Sequence, residues 1–211
     1  MKGFLNLFKQ SYKEMTGKGA VRCLAVTGML CALSMAIEGF TIPLPFAKLN
    51  FAFLALAATG MLFGPVVAFL AGGICDVLGF FIHPDGGFIP VYVFIAMLQG
   101  LIYGIVLYQK GFFSNDMQDP TRGRRLTEFG LRMVIARMLD VVIINLLLNT
   151  YFNMHYGFIP AQAFGEAIAA RAVKNLLELA LDIPLMFVIL PTIMAVYGKA
   201  SKGRTSGEKA V

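Results

Sequence analysis

Between Phe164 and Tyr197 the chain is apolar enough to cross a membrane, yet it sets polar and charged residues on one helical face. Arg171, Lys174, Asn175, Glu178 and Asp182 stand at i, i+3, i+4, i+7 and i+11, a single stripe of a 3.6-residue helix. An ionisable side chain at bilayer depth costs roughly 2.5–3.5 kcal/mol on insertion scales. The stripe must therefore face protein, water or a ligand. Pairing along the helix, Lys174 with Glu178 for example, would neutralise it internally. Alternatively, Arg171 and Lys174 point into a cavity and hold an anionic solute.

The rest of the chain gives that helix company. Only 14% of the 211 residues are charged, against about a quarter in soluble domains, and several other apolar runs reach spanning length. The first span is expected at 20–40, with Glu38 near its outer end. Phe51 to Ile82 is one apolar run of about 48 Å if wound as a single helix, too long for a ~30 Å core. Gly64-Pro65 divides it, because proline removes a helical hydrogen bond and biases its predecessor away from helix. Two short spans follow, 50–63 and 65–82, then 91–109, 130–152 and 164–197. The division also sorts the charges. Basic residues gather in the N-terminal segment, the 110–132 linker and the C-terminal tail, and six spans place all three on one face. The positive-inside rule makes that face cytoplasmic, with both termini on it. The expected fold is an all-α six-helix membrane bundle, residues 20–199, in the cell membrane. It is flanked by a basic amphipathic segment at 1–19 and a cytoplasmic tail at 200–211.

The net charge of +6 thus reflects topology, and no nucleic-acid partner is expected. Cys23, Cys31 and Cys75 have no metal-ligand spacing and read as packing residues. His83 and His155 are isolated, so no metal site is expected. Gly17-Lys18 and Gly198-Lys199 lack the upstream glycine of a phosphate loop, and no nucleophile–base arrangement is visible. The chain reads as a non-enzyme without a cofactor of its own.

What accumulates toward the outer half is polar and aromatic. Asn145 and Asn149 lie one helical turn apart, above an Arg137–Asp140 pair assigned to structure, and Asp76 lies in the third span. Phe88 and Tyr92 are placed to stack on a heterocycle, and Asn175 shares the face of Arg171 and Lys174. His83, Asp85, Gly86 and Gly87 form a loop suited to a lid. On the first span Gly28, Ala32 and Ala36 make a small-residue stripe that lets another helix approach.

These stretches resemble the S components, the substrate-binding membrane subunits, of energy-coupling factor (ECF) vitamin transporters, and the folate family among them. The resemblance covers residues 20–197. It is carried by Ala58-Thr59-Gly60-Met61-Leu62-Phe63-Gly64-Pro65, Asp85-Gly86-Gly87-Phe88-Ile89-Pro90, Leu101-Ile102-Tyr103-Gly104-Ile105-Val106-Leu107-Tyr108, Asn145-Leu146-Leu147-Leu148-Asn149-Thr150 and Arg171-Ala172-Val173-Lys174-Asn175. It implies capture of folate at the outer face and association with a T component and ATP-hydrolysing subunits, which would use the ATP. It also implies docking of Ala32 and Ala36 on the T component. The chain departs from that pattern at Val91-Tyr92-Val93, where a polar residue faces the cavity in family members, and at Tyr151-Phe152-Asn153, where tryptophan is common. Another vitamin or related heterocycle is the alternative ligand. A proton-coupled secondary transporter is the alternative mechanism, though no internal repeat supports it.

Overall fold

The computed structural model describes residues 2–17, 19–39, 42–44, 47–49, 51–82, 87–108, 122–160 and 164–207. Of the expected lid, His83, Asp85 and Gly86 lie outside these residues, as does the polar linker Ser114–Pro120. Helix α1 (Lys2–Thr16) precedes α2 (Ala20–Gly39), and a short antiparallel pair, β1 (Ile42–Leu44) with β2 (Ala47–Leu49), follows. Then come α3 (Phe53–Phe63), α4 (Pro65–Ile82), α5 (Pro90–Leu107) and α6 (Arg122–Leu139). A π-helical stretch (Asp140–Leu148) runs without interruption into α7 (Asn149–His155), and α8 (Phe164–Gly207) closes the chain.

Among the described residues, four helices carry windows long and apolar enough to cross a membrane: Ala20–Ile37, Pro65–Ile82, Pro90–Leu107 and Ile168–Gly198. Helix α3 is different. Its 11 residues rise only about 16 Å, and nearly all of them are buried. It is the bundle's core rather than a lipid-facing span. Gly64 ends it at φ 86°, a left-handed conformation that glycine adopts without steric cost, and Pro65 opens α4 where its missing N–H costs nothing.

Ser11, fully buried on α1, sits on this break. Its hydroxyl donates to the Phe63 carbonyl (2.8 Å) and accepts from the N–H groups of Val66 (3.0 Å) and Val67 (3.3 Å). That is a helix cap supplied from another helix, satisfying amides that α4 cannot bond internally. The N-terminal segment is thereby a docked part of the fold.

Glycine sets the spacing of the central helices. A Cβ at Gly100 would lie 2.1 Å from the Ala68 carbonyl oxygen, one at Gly72 2.2 Å from that of Ala96, and one at Gly104 2.4 Å from Pro65 Cα. Helices α4 and α5 therefore meet backbone to backbone, the close approach that small residues permit in membrane bundles. Gly28 on α2 has open space around it.

Several boundaries differ from the sequence expectation. Helix α6 starts at Arg122, inside the expected linker, and α8 continues to Gly207 through the expected tail. Both extensions are polar helical turns continuing apolar ones, and hydropathy alone does not register them.

Candidate functional site

The helices define two ends of the bundle. Helix α4 runs from Pro65 to Ile82 and α5 returns from Pro90 to Leu107. At the Pro65 end lie α1, Tyr197 of α8 and Arg22, whose guanidinium stacks on the Tyr197 ring at 4.2 Å and donates to its carbonyl at 3.1 Å. Arg132 donates to the Val106 carbonyl (3.3 Å), placing that part of α6 at the same end. The opposite end gathers Gly87–Tyr92, the Tyr151–Tyr156 segment and the start of α8.

The polar stripe on α8 does not act as one unit. Asp182 is buried, 2% exposed, and accepts from Arg137 Nε at 3.0 Å, with Nη2 on the same oxygen. Arg137 Nη1 donates to Asp140 and to the Tyr103 hydroxyl (3.2 Å), and that hydroxyl donates to Asp140 Oδ2 (3.0 Å). The guanidinium also lies over the Phe53 ring at 3.9 Å. Arg137 is 4% and Asp140 0% exposed. One cation thus ties together α3, α5, α6, the π-helical stretch and α8. The assignment of Arg137–Asp140 to structure matches this geometry, and Asp182 is the third charge of the cluster.

One turn along α8, Lys174 Nζ pairs with Glu178 at 3.2 Å, with side chains 35% and 11% exposed. Asn175 points inward and is 3% exposed. Arg171, about 16 Å above Asp182 along the helix, is half-buried and has no ion pair among the described residues. At the same end of the bundle stands Tyr92, near the start of α5, with its hydroxyl. That hydroxyl donates to Asn153 Oδ1 at 2.8 Å, and the Tyr156 ring lies 6.5 Å from that of Tyr92. Behind Tyr156, His155 packs edge-on against it at 5.4 Å and stacks on Tyr151 at 6.4 Å. The two segments where the sequence departs from the resembled pattern, Val91-Tyr92-Val93 and Tyr151-Phe152-Asn153, thus meet through the Tyr92–Asn153 hydrogen bond.

The other predicted site residues are scattered around this corner. Phe88 is exposed, its ring edge-on to Phe80 at 5.2 Å, and Gly87 beside it is exposed. Asp76 is half-buried on α4, with no hydrogen bond or ion pair joining it to Arg171 among the described residues. Asn145 and Asn149 are half-buried, but they are not one α-turn apart. The Asn149 N–H bonds the Ile144 carbonyl, an i→i+5 step, so four residues fall short of a full turn there. Gly28, Ala32 and Ala36 are exposed on α2. Sequence reading missed Asn153 and Tyr156 as site residues and Tyr103 as a cluster member. Asn153 meets its partner 61 residues away, and no local pattern announces such a contact.

Known proteins place this architecture. The chain is similar to the folate transporter FolT of Clostridium novyi, 26% identical over 150 residues, covering 71% of this chain and 74% of that protein. It is also similar to FolT of Leuconostoc mesenteroides, 25% identical over 171 residues, covering 80% and 84%. A crystal structure of FolT bound with folic acid shares the fold, with a TM-score of 0.62 and 24% identity over 78% of this chain and 91% of that one. The model of ECF-type riboflavin transporter S components matches residues 18–190. The chain is thus a multi-pass membrane protein that belongs to the ECF-type riboflavin transporter S-component family.

Proposed function

We propose that this S component captures folate, rather than riboflavin, at the end of the bundle that holds Arg171. The observation carrying the choice is the Arg171 guanidinium, half-buried and without an ion pair among the described residues. A cation in apolar surroundings is stabilised by an anionic partner. Folate brings glutamate carboxylates, whereas riboflavin has no ionised acid. The relatives named folate transporters support the same choice. Lys174, already paired with Glu178, is a secondary contact. Asn175, Asn145, Asn149 and Asp76 offer donors and acceptors to the pteridine, with Phe88 and Tyr92 as its aromatic walls. The loop containing His83, Asp85, Gly86 and Gly87 would close over it.

The described basic side chains Lys9, Lys13, Arg22, Arg124, Arg125 and Arg132 lie on the elements at the end away from Arg171. That asymmetry makes their end cytoplasmic, with both termini there and the capture site outside, in the cell membrane. Transport then requires a T component and ATP-hydrolysing subunits; this chain catalyses nothing and uses no cofactor. The exposed face of α2 with Gly28, Ala32 and Ala36 is the surface offered to the T component.

The test is to identify small molecules released from the purified protein and to titrate it with folate, riboflavin and the pteridine fragment. Folate should bind tightly and riboflavin weakly. Arg171→Ala should weaken folate roughly ten- to hundredfold, the range for a lost charge-assisted contact, and leave the fragment nearly unchanged. Tight riboflavin binding, or equal losses for folate and fragment, would reject the reading.

A further inference from the structure

At the end of the bundle that holds Arg171, the Asn153 amide presents donors to the corner around Tyr92. Tyr92 gives its proton to Asn153 Oδ1, which fixes the amide orientation and leaves both Asn153 N–H bonds directed elsewhere. Among the described residues neither finds an acceptor, and Arg171, on the α8 helix against which α7 packs, has no ion pair. Asn153 is half-buried, so burial by a ligand would leave these donors unsatisfied unless the ligand brought acceptors. The backbone holds the residue in place: the Asn153 carbonyl accepts from the N–H groups of Phe158 (2.9 Å) and Ile159 (3.2 Å), closing the turn after α7.

We infer that Asn153 is a ligand-binding residue whose amide donates, with Arg171, to a carboxylate of the bound solute, and that Tyr92 is the positioning residue orienting that amide. This rests on the folate reading and deepens it. A carboxylate accepts from an amide and a guanidinium together, whereas a donor-rich group would meet donors on both sides. The inference also gives Tyr92 a second role beside that of aromatic wall, through its hydroxyl.

Three variants separate the roles. Asn153→Asp keeps an acceptor for Tyr92 but removes the donors and adds a negative charge beside the ligand's own. Tyr92→Phe keeps the ring and removes only the hydroxyl. Asn153→Ala and the Tyr92→Phe/Asn153→Ala pair complete a double-mutant cycle. Calorimetric titration with folate should show a loss of about tenfold or more for N153D and roughly threefold for Y92F. The double variant should be no weaker than N153A, because Tyr92 acts through Asn153. The pteridine fragment should bind the Asn153 variants like the parent, with each variant remaining folded. Unaltered folate affinity in N153D, equal losses for fragment and folate, or additive losses in the cycle would overturn the assignment. A parent protein that ignores folate would instead remove the functional reading, and this inference with it.

Discussion

Arg137 and Arg171 are both guanidinium groups in a bundle of apolar helices, and the fold treats them in opposite ways. Arg137 is enclosed by two carboxylates, a phenol and an aromatic face drawn from four other segments of the chain. Arg171 is half-buried and has no ion pair among the described residues. Burying a charge requires a partner, and the deep cluster carries its partners within the chain. At the Arg171 corner no such partner is present among the described residues. The contrast teaches that an intramembrane arginine is not informative by itself; whether its charge is already answered separates scaffold from site.

The largest effect should follow from opening the closed cluster. Arg137→Ala leaves Asp140 and Asp182 buried without their cation, and breaking a buried pair in this way costs about 3–5 kcal/mol. Purified R137A should show a greatly lowered melting temperature or fail to accumulate as folded protein. A melting temperature near the parent's would mean that the cluster does not hold the five segments together.

Arg171→Ala is the counterpart. No described ion pair is lost, so its unliganded melting temperature should stay close to the parent's, within the ±0.5 kcal/mol of ordinary surface substitutions, while folate affinity falls. Comparable destabilisation in R137A and R171A would erase the distinction between them.

How the two arginines read from sequence follows from the range of their interactions. The helical period alone put Arg171, Lys174, Glu178 and Asp182 on one face, and the i, i+3 spacing alone paired Arg137 with Asp140. Local rules stop there. Asp182 reaches Arg137 across 45 residues, and Tyr103 joins from a third helix. Gly64-Pro65 is legible because its chemistry is confined to two residues; Ser11, which caps the same break from 52 residues away, is not. The π-helical winding at Asp140–Leu148 has no compositional mark, so the spacing of Asn145 and Asn149 was mistaken. The stretches carrying the family resemblance are largely packing: Gly60 and Gly104 touch one another, and Tyr103 belongs to the deep cluster. They identify the scaffold more strongly than the ligand.

A neutral polar contact sharpens the comparison between closed and open groups. Ser11→Ala removes the hydroxyl that closes the α3–α4 break, and loss of a helix cap costs about 1 kcal/mol. The melting temperature should fall modestly with folate affinity unchanged, because the cap lies at the opposite end from Arg171. A selective loss of affinity would show that the Gly64 break communicates with the Arg171 corner.

Lys174 stands between the two arginines in kind. Its pair with Glu178 joins a half-exposed cation to a buried carboxylate, so it is more screened than the Arg137 cluster and less than a surface pair. Lys174→Met keeps the aliphatic stem and removes the charge, leaving Glu178 at 11% exposure without its cation. If Lys174 belongs to the scaffold, K174M should lower stability, by less than R137A because one carboxylate rather than two loses its cation, and leave the ratio of folate to fragment affinity intact. A ratio that drops as far as in R171A would move Lys174 from the paired group to the ligand's group. Glu178 would then be the anion that folate displaces, and Glu178→Gln should raise folate affinity by freeing the lysine in advance.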